Sequence, residues 1–212
     1  MPTPARAAAE KAPSAEAIAL PAPRLDGTVS LERALAERRS VREFRRAALG
    51  LAELSQLLWA GQGVTSAAGC RTAPSAGALY PLELYVVAGE VEPLPAGVYR
   101  YVPAAHRLSR VAFGDRRKPL AAAALGQDWM RSAAAALVVA SVEERTARKY
   151  GARAALYVSF EAGCASENIA LEAAALGLGT VVVGAFDDDV VASLLSLRPG
   201  ERPVAILPVA RY

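Results

Sequence analysis

One histidine and two cysteines are too few metal-binding side chains for this 212-residue chain to build a usual zinc site. Cys70 and Cys164 lie far apart, so no disulfide scaffold is available and a reducing, cytoplasmic setting is expected. His106 follows Pro103-Ala104-Ala105, which predicts an exposed turn residue, and no Ser-His-Asp triad is supported. No apolar run reaches the length of a membrane span, although 53% of the residues are hydrophobic. Aromatics make up only 6%, sparse for the stacking that single-stranded nucleic acid requires. A net charge of +3, from 24 basic and 21 acidic residues, is small for a dedicated nucleic-acid binder. Neither a membrane nor a nucleic acid is an expected partner. Any demanding chemistry falls to an organic cofactor.

What is present divides unevenly. Residues 1–24 are rich in Ala and Pro and lack the apolar centre of a secretory signal, so a flexible leader is expected ahead of one domain over 25–212. Ser30 predicts a helix N-cap, with Leu31, Ala34 and Leu35 on one face. Leu51, Leu54, Leu57 and Leu58 predict a second helix that Gly61 can stop. Residues 62–80 form a long loop, a length that suits binding. Leu82, Leu84 and Val86 alternate with Glu83 and Tyr85, a strand pattern. Residues 98–102 and 107–112 predict a strand pair, Asp115 caps a helix to about 125, and 136–142 reads as a buried strand.

The stretch 152–176 is Ala-rich and apolar on more than one side, so it is buried centrally or against a second copy of the chain. A strand over 180–183, a helix near 188–197 capped by Asp187, and a strand over 204–211 complete the series. Helices and strands alternate irregularly. That predicts an α+β fold, a sheet flanked by helices, rather than a doubly wound one.

Three segments carry chemistry. The first is Arg38-Arg39-Ser40-Val41-Arg42-Glu43-Phe44. Guanidinium forks match the planar faces of a phosphate and a serine hydroxyl adds a bond; alone, such a run also reads as a solvated face. The second is Pro74-Ser75-Ala76-Gly77-Ala78-Leu79-Tyr80-Pro81, whose small residues let the backbone approach a flat ring. The third is Gly177-Leu178-Gly179-Thr180-Val181-Val182-Val183-Gly184-Ala185-Phe186-Asp187. It is no dinucleotide fingerprint, because position 182 is Val and the glycines follow a helix and precede a strand. Gly177 suits a helix C-cap, whereas amides at Gly184-Ala185 can face a ligand edge.

Together with Leu57-Leu58-Trp59-Ala60-Gly61-Gln62-Gly63, these segments resemble the FMN-dependent nitroreductase family, and within it the SagB-like dehydrogenase branch. The resemblance implies a central, mostly antiparallel sheet flanked by helices in a homodimer, with FMN at the interface. It implies that Arg38, Arg39 and Ser40 hold the phosphate and ribityl chain and that Arg42 lies by the pyrimidine edge. Pro74, Ser75, Ala76 and Gly77 would cover the ring from the partner subunit. Val183 leads into Gly184 and Ala185, whose backbones would face N5 and O4, and Arg211 can reach the phosphate as a terminal basic residue does in some relatives. Three departures stand out. Glu161-Ala162-Gly163-Cys164 replaces a common Glu-Ala-Gly-His, Ala210 stands where relatives often have Gly, and a long C-terminal arm is not expected after Tyr212.

The implied activity is an oxidoreductase, a flavoprotein that moves a hydride between NAD(P)H and an acceptor such as a nitroaromatic or quinone in ping-pong order. Lys149-Tyr150 leaves an alternative open, because a similar pair is implicated in azoline oxidation on modified peptides; the pair also reads as an exposed charged turn. A flavin-binding protein without turnover and an arginine-led nucleic-acid binder are the rivals from other classes.

Overall fold

A computed structural model describes residues 17–212. In chain order the strands are β1 (Ala17–Ala19), β2 (Leu49–Gly50), β3 (Leu82–Ala88), β4 (Val91–Glu92), β5 (Gly97–Val102), β6 (Arg107–Phe113), β7 (Ala135–Ser141), β8 (Gly179–Thr180) and β9 (Arg202–Ala210). The helices are α1 (Leu31–Glu37), α2 (Leu51–Gln62), α3 (Arg117–Ala123), α4 (Glu143–Tyr150), α5 (Ala154–Ala175) and α6 (Asp188–Leu195).

Seven strands form one antiparallel sheet in the order β1-β6-β5-β3-β7-β9-β8. A parallel pair, β2 with β4, stands apart from it. Leu82, Leu84 and Val86 pack with Leu54, Leu57, Leu58, Val158 and Ile169 on the face covered by α2 and α5. On the other face, Tyr85, Val87, Val138 and Ile206 pack with Leu120 and Leu195 of α3 and α6. The fold is therefore the α+β sheet with flanking helices that the sequence implies. Helices cover both faces, so all seven residues of β3 are buried and the expected alternation of polar and apolar sides is lost.

Local sequence explains most boundaries. Ser30 caps α1 by accepting from the Arg33 amide at 3.2 Å, and Asp187 caps α6 by accepting from Val190 at 3.0 Å. Only Ala34 of the expected α1 face is buried; Leu31 and Leu35 are exposed. Gly61 does not stop α2, which ends at Gln62 with Gly63 as its C-cap. Instead Gly61 lets α5 approach: a Cβ there would lie 2.9 Å from Ile169 Cδ1 and 3.0 Å from Leu84 Cδ1. The expected strand over 180–183 shortens to β8, and Val183 rejoins the sheet through an isolated bridge to Ile206.

One expectation, that of an exposed His106, is corrected by packing. The leader expected over 1–24 lies outside the described residues up to residue 16, and residues 17–24 make contacts with the rest of the chain. There β1 pairs with β6, and Arg24 exchanges two hydrogen bonds with Gln56 at 2.9 and 3.0 Å. His106, expected to be exposed, is half-buried and ties this segment down. Its Nδ1 lies 2.9 Å from the Tyr101 hydroxyl, and its Nε2 lies 2.9 Å from Pro21 O and 2.8 Å from Ser55 Oγ. Burial pushes the Tyr101 phenol above its ordinary range. Nε2 faces the Pro21 carbonyl, which can only accept, so Nε2 carries the ring proton and Nδ1 accepts from the Tyr101 hydroxyl.

Replacing His106 with Ala strands that buried hydroxyl. We expect His106→Ala to cost about 1–3 kcal/mol and to speed amide exchange in 17–24. An unchanged unfolding midpoint would contradict the tie.

Candidate active site

The middle of the arginine segment folds against β8, and the residue just beyond it meets the C-terminal end of the chain. Ser40 bridges Thr180 in parallel, the Val41 amide donates to Thr180 O at 3.0 Å, and Arg45 bridges Arg211. Gly179 permits this approach, since a Cβ there would meet Val41 Cγ1 at 2.8 Å. The result brings Arg38, Ser40 and Arg42 alongside the strand end that leads to Val183, Gly184 and Ala185. Ser40, Arg42, Phe44, Arg45 and Tyr212 line an open cavity of about 650 Å³, within the usual 300–1,000 Å³ range of ligand sites.

The cations here differ in what they already hold. Arg38 pairs with Glu167 of α5 at 3.3 Å, with both side chains partly exposed. Arg39 turns back to donate to Ala36 O and Arg38 O at 2.9 and 2.8 Å. Arg42 is exposed and has no ion pair among the described residues. Arg211 is committed to Glu53 at 2.6 Å, so its charge is already answered within the chain. Arg45 donates to Tyr212 O. Val183 is buried in its bridge to Ile206, while Gly184 and Ala185 are exposed just beyond it. A Cβ at Gly184 would meet nothing within 4 Å, so packing inside this chain does not require glycine there.

A second group forms around the loop. Gly77 takes φ +63°, and Ala78 and Tyr80 also lie in the left-handed region at +55° and +47°. Non-glycine residues pay about 1–2 kcal/mol each for that conformation, and here Tyr80 is held at three points. Its amide donates to Ser75 Oγ at 2.8 Å, its carbonyl accepts from Arg145 at 2.9 Å, and the Arg71 guanidinium lies 4.5 Å from its ring centroid. Burial pulls Arg71 below the ordinary guanidinium range, with Glu83 opposing that shift. Arg145 also pairs with the buried Glu83 at 2.5 Å, and Glu83 with Arg100 at 2.8 Å.

Lys149 and Tyr150 belong to this second group. They end α4 and are not an isolated turn. A Cβ on Gly77 would lie 2.9 Å from both Lys149 Nζ and Tyr150 Oη, so those two side-chain ends would have to give way, and the positive φ adds strain for any other residue. Tyr150 meets Tyr157 edge to face, with centroids 5.0 Å apart. Glu161 of α5, 6% exposed, accepts from the Ala76 amide at 2.8 Å and anchors the loop. Pro74, Ser75 and Ala76 line a cavity of about 300 Å³ with Tyr157, Phe160, Glu161 and Cys164.

Both groups are thus tied to α5, the arginines through Glu167 and the loop through Glu161. A third cavity of about 340 Å³, between Arg24, Leu31, Trp59 and Glu172, contains none of the expected residues. Sequence reasoning missed the anchoring roles of Glu161, Glu167, Arg71 and Arg145. The signal available was a set of acidic residues, Glu161, Glu167 and Glu172, in an Ala-rich helix.

A cationic pocket and a strained small-residue loop are thus both attached to one helix packed on an antiparallel sheet. Comparison with known proteins gives the family. The Nitroreductase family model matches residues 35–211, and the chain belongs to that family. A protein of Methanocaldococcus jannaschii assigned as a nitroreductase is 44% identical over 183 residues, covering 86% of this chain and 91% of that protein. A structure from Ralstonia eutropha, likewise assigned as a nitroreductase, superposes with a TM-score of 0.82 at 33% identity, over 95% of this chain and 91% of that one. A chain of the E. coli microcin synthetase McbBCD complex with truncated pro-MccB17 bound gives 0.71 at 26% identity, over 80% of this chain and 67% of that one. The chain is therefore a nitroreductase-family oxidoreductase.

Gly77→Ala should be poorly tolerated, because it adds left-handed strain and drives a methyl group into Lys149 and Tyr150. A loss of about 1–2 kcal/mol with altered Tyr fluorescence is expected; a variant as stable as the parent would show that the loop is not clamped there.

Proposed function

We propose that this oxidoreductase is FMN-dependent, works as a homodimer, and moves a hydride between NAD(P)H and an organic acceptor such as a nitroaromatic or quinone. The observation that carries the reading is the attachment of both groups to α5, six residues apart, a separation of about 9 Å along a helix. Leu156 and Phe160, 42% and 60% exposed, form an apolar stripe on that helix, and Gly163 and Cys164 continue it. Unpartnered apolar residues on a central helix favour burial against a second copy. A twofold axis crossing the stripe would run two copies of α5 antiparallel and bring the arginines of one subunit to the loop of the other.

The residues fit FMN. Arg38, Arg39 and Ser40 would bind its phosphate and ribityl chain by charge-assisted bonds. Arg42 would set a fixed positive charge where the pyrimidine edge gains electron density. Exposed amides at Gly184 and Ala185 suit the ring edge, Val183 fixes the strand end behind them, and Pro74, Ser75, Ala76 and Gly77 would cover the ring and exclude water. Bound FMN would supply the redox chemistry itself. No protein nucleophile is needed, and a donor and an acceptor taking turns in one pocket suit ping-pong order.

A second reading rests on a specific contact. Lys149 and Tyr150 both abut Gly77, beside the part of the loop that would face the ring, where a base could remove a proton from an azoline of a modified peptide. Likeness to a chain of the microcin synthetase complex supports this alternative. Tyr150→Phe should then abolish azoline oxidation and spare quinone reduction; equal loss of both removes the base role.

The cofactor assignment has its own test. The purified protein should be yellow, and Arg38→Ala should weaken FMN binding about tenfold or more. Full FMN retention in that variant would refute the phosphate site. A non-catalytic flavin carrier would bind FMN yet oxidise no NAD(P)H whatever acceptor is supplied.

A further inference from the structure

We infer that Thr180 is a positioning residue of the anion site, its buried hydroxyl orienting that of Ser40 toward the phosphate. The inference rests on the FMN reading above. Thr180 is 3% exposed, and its Oγ1 has no hydrogen-bond partner. An unpaired buried hydroxyl is costly, and such groups in a well-packed protein call for a reason. Local preference does not supply one: the next three residues, Val181, Val182 and Val183, are all valine, a near match in shape without the hydroxyl.

The reason lies across the bridge. Ser40 is the residue directly opposite Thr180. Opposed residues of neighbouring strands project on the same face, and strands lie about 4.8 Å apart. The Ser40 hydroxyl is exposed and has no hydrogen bond among the described residues, so it is free to rotate. Thr180 itself is enclosed, so its hydroxyl would act on a ligand through a neighbouring group, and Ser40 is the hydroxyl residue bridged to it. A serine hydroxyl has one proton and two lone pairs. When Thr180 donates to Ser40 Oγ, it occupies a lone pair and leaves the Ser40 proton for a phosphate oxygen. The two hydroxyls then form a short relay whose buried end is satisfied once the anion is bound. Arg38 and Arg42 supply charge at that site, and the relay supplies direction.

The test uses the full chain stripped of flavin. FMN affinity is measured by quenching of flavin fluorescence for the wild type, Thr180→Val, Thr180→Ser, Ser40→Ala and the Ser40→Ala/Thr180→Val double variant. The thermal midpoint of each flavin-free protein is measured alongside. Thr180→Val should bind FMN about three- to tenfold more weakly, and Thr180→Ser should stay within about twofold of wild type. In the Ser40→Ala background, Thr180→Val should add no further loss. Flavin-free Thr180→Val should be as stable as wild type or more so, because it no longer buries an unpaired hydroxyl.

Unchanged affinity in Thr180→Val overturns the relay, as does a full loss repeated in the Ser40→Ala background. A flavin-free Thr180→Val that unfolds well below wild type assigns the hydroxyl to the fold instead, and also overturns it. A wild-type chain that takes up no FMN removes the cofactor reading and this inference together, which separates the two failures.

Discussion

Helix α5 is covered by the sheet and α2 on one side, and its other side keeps apolar residues exposed. Ala154, Val158, Ala162, Ala165, Ile169 and Ala173 are buried, spaced three and four apart, and from Val158 onward they pack in one core with the sheet and α2. The opposite side carries Leu156, Phe160, Gly163 and Cys164 in solvent. From one flank Glu161 holds the loop and from another Glu167 holds Arg38, so the arrangement of the site follows the orientation of a single 22-residue helix. A rigid element of this kind positions two groups more tightly than two loops would alone.

The loop pays for its shape locally. Three left-handed residues within four positions are an unstable choice in isolation, and the hydrogen bonds that Tyr80 gives to Ser75 and accepts from Arg145 offset it together with the Arg71 stack. Arg145 extends that restraint into the sheet through Glu83, which Arg100 also pairs. Because Arg145 shares α4 with Lys149 and Tyr150, one guanidinium links the loop, the sheet and the candidate base pair. A buried carboxylate held by two arginines is costly to break rather than strongly stabilising in itself. Its value here lies in fixing geometry.

Much of this was legible in the sequence because it rests on local signals. Ser30 and Asp187 announced their helices, the apolar stretch around 152–176 announced the long helix α5, and the run of small residues announced an irregular loop. Long-range pairing left weaker traces. The three residues Ala17–Ala19 are too short and too far from β6 to read as a strand. Helix α4, Glu-Glu-Arg-Thr-Ala-Arg-Lys-Tyr, has a single buried residue, Thr146, and so no apolar period to find. His106 looked exposed beside a proline turn because its partners, Pro21, Ser55 and Tyr101, come from three separate parts of the chain. Arg211 offered a free charge in sequence, and only the fold brings Glu53 to it.

The central claim is that each site is shared, with arginines from one chain and loop from its partner. Subunit complementation tests it most directly. An Arg38→Ala chain and a Gly77→Val chain, each expected to hold flavin poorly, are unfolded together, refolded as a mixture and titrated with FMN. In a mixed dimer one site collects both defects and the other collects none, so flavin binding should return at one site per mixed dimer. A mixture that stays as empty as its two parents would contradict the shared site.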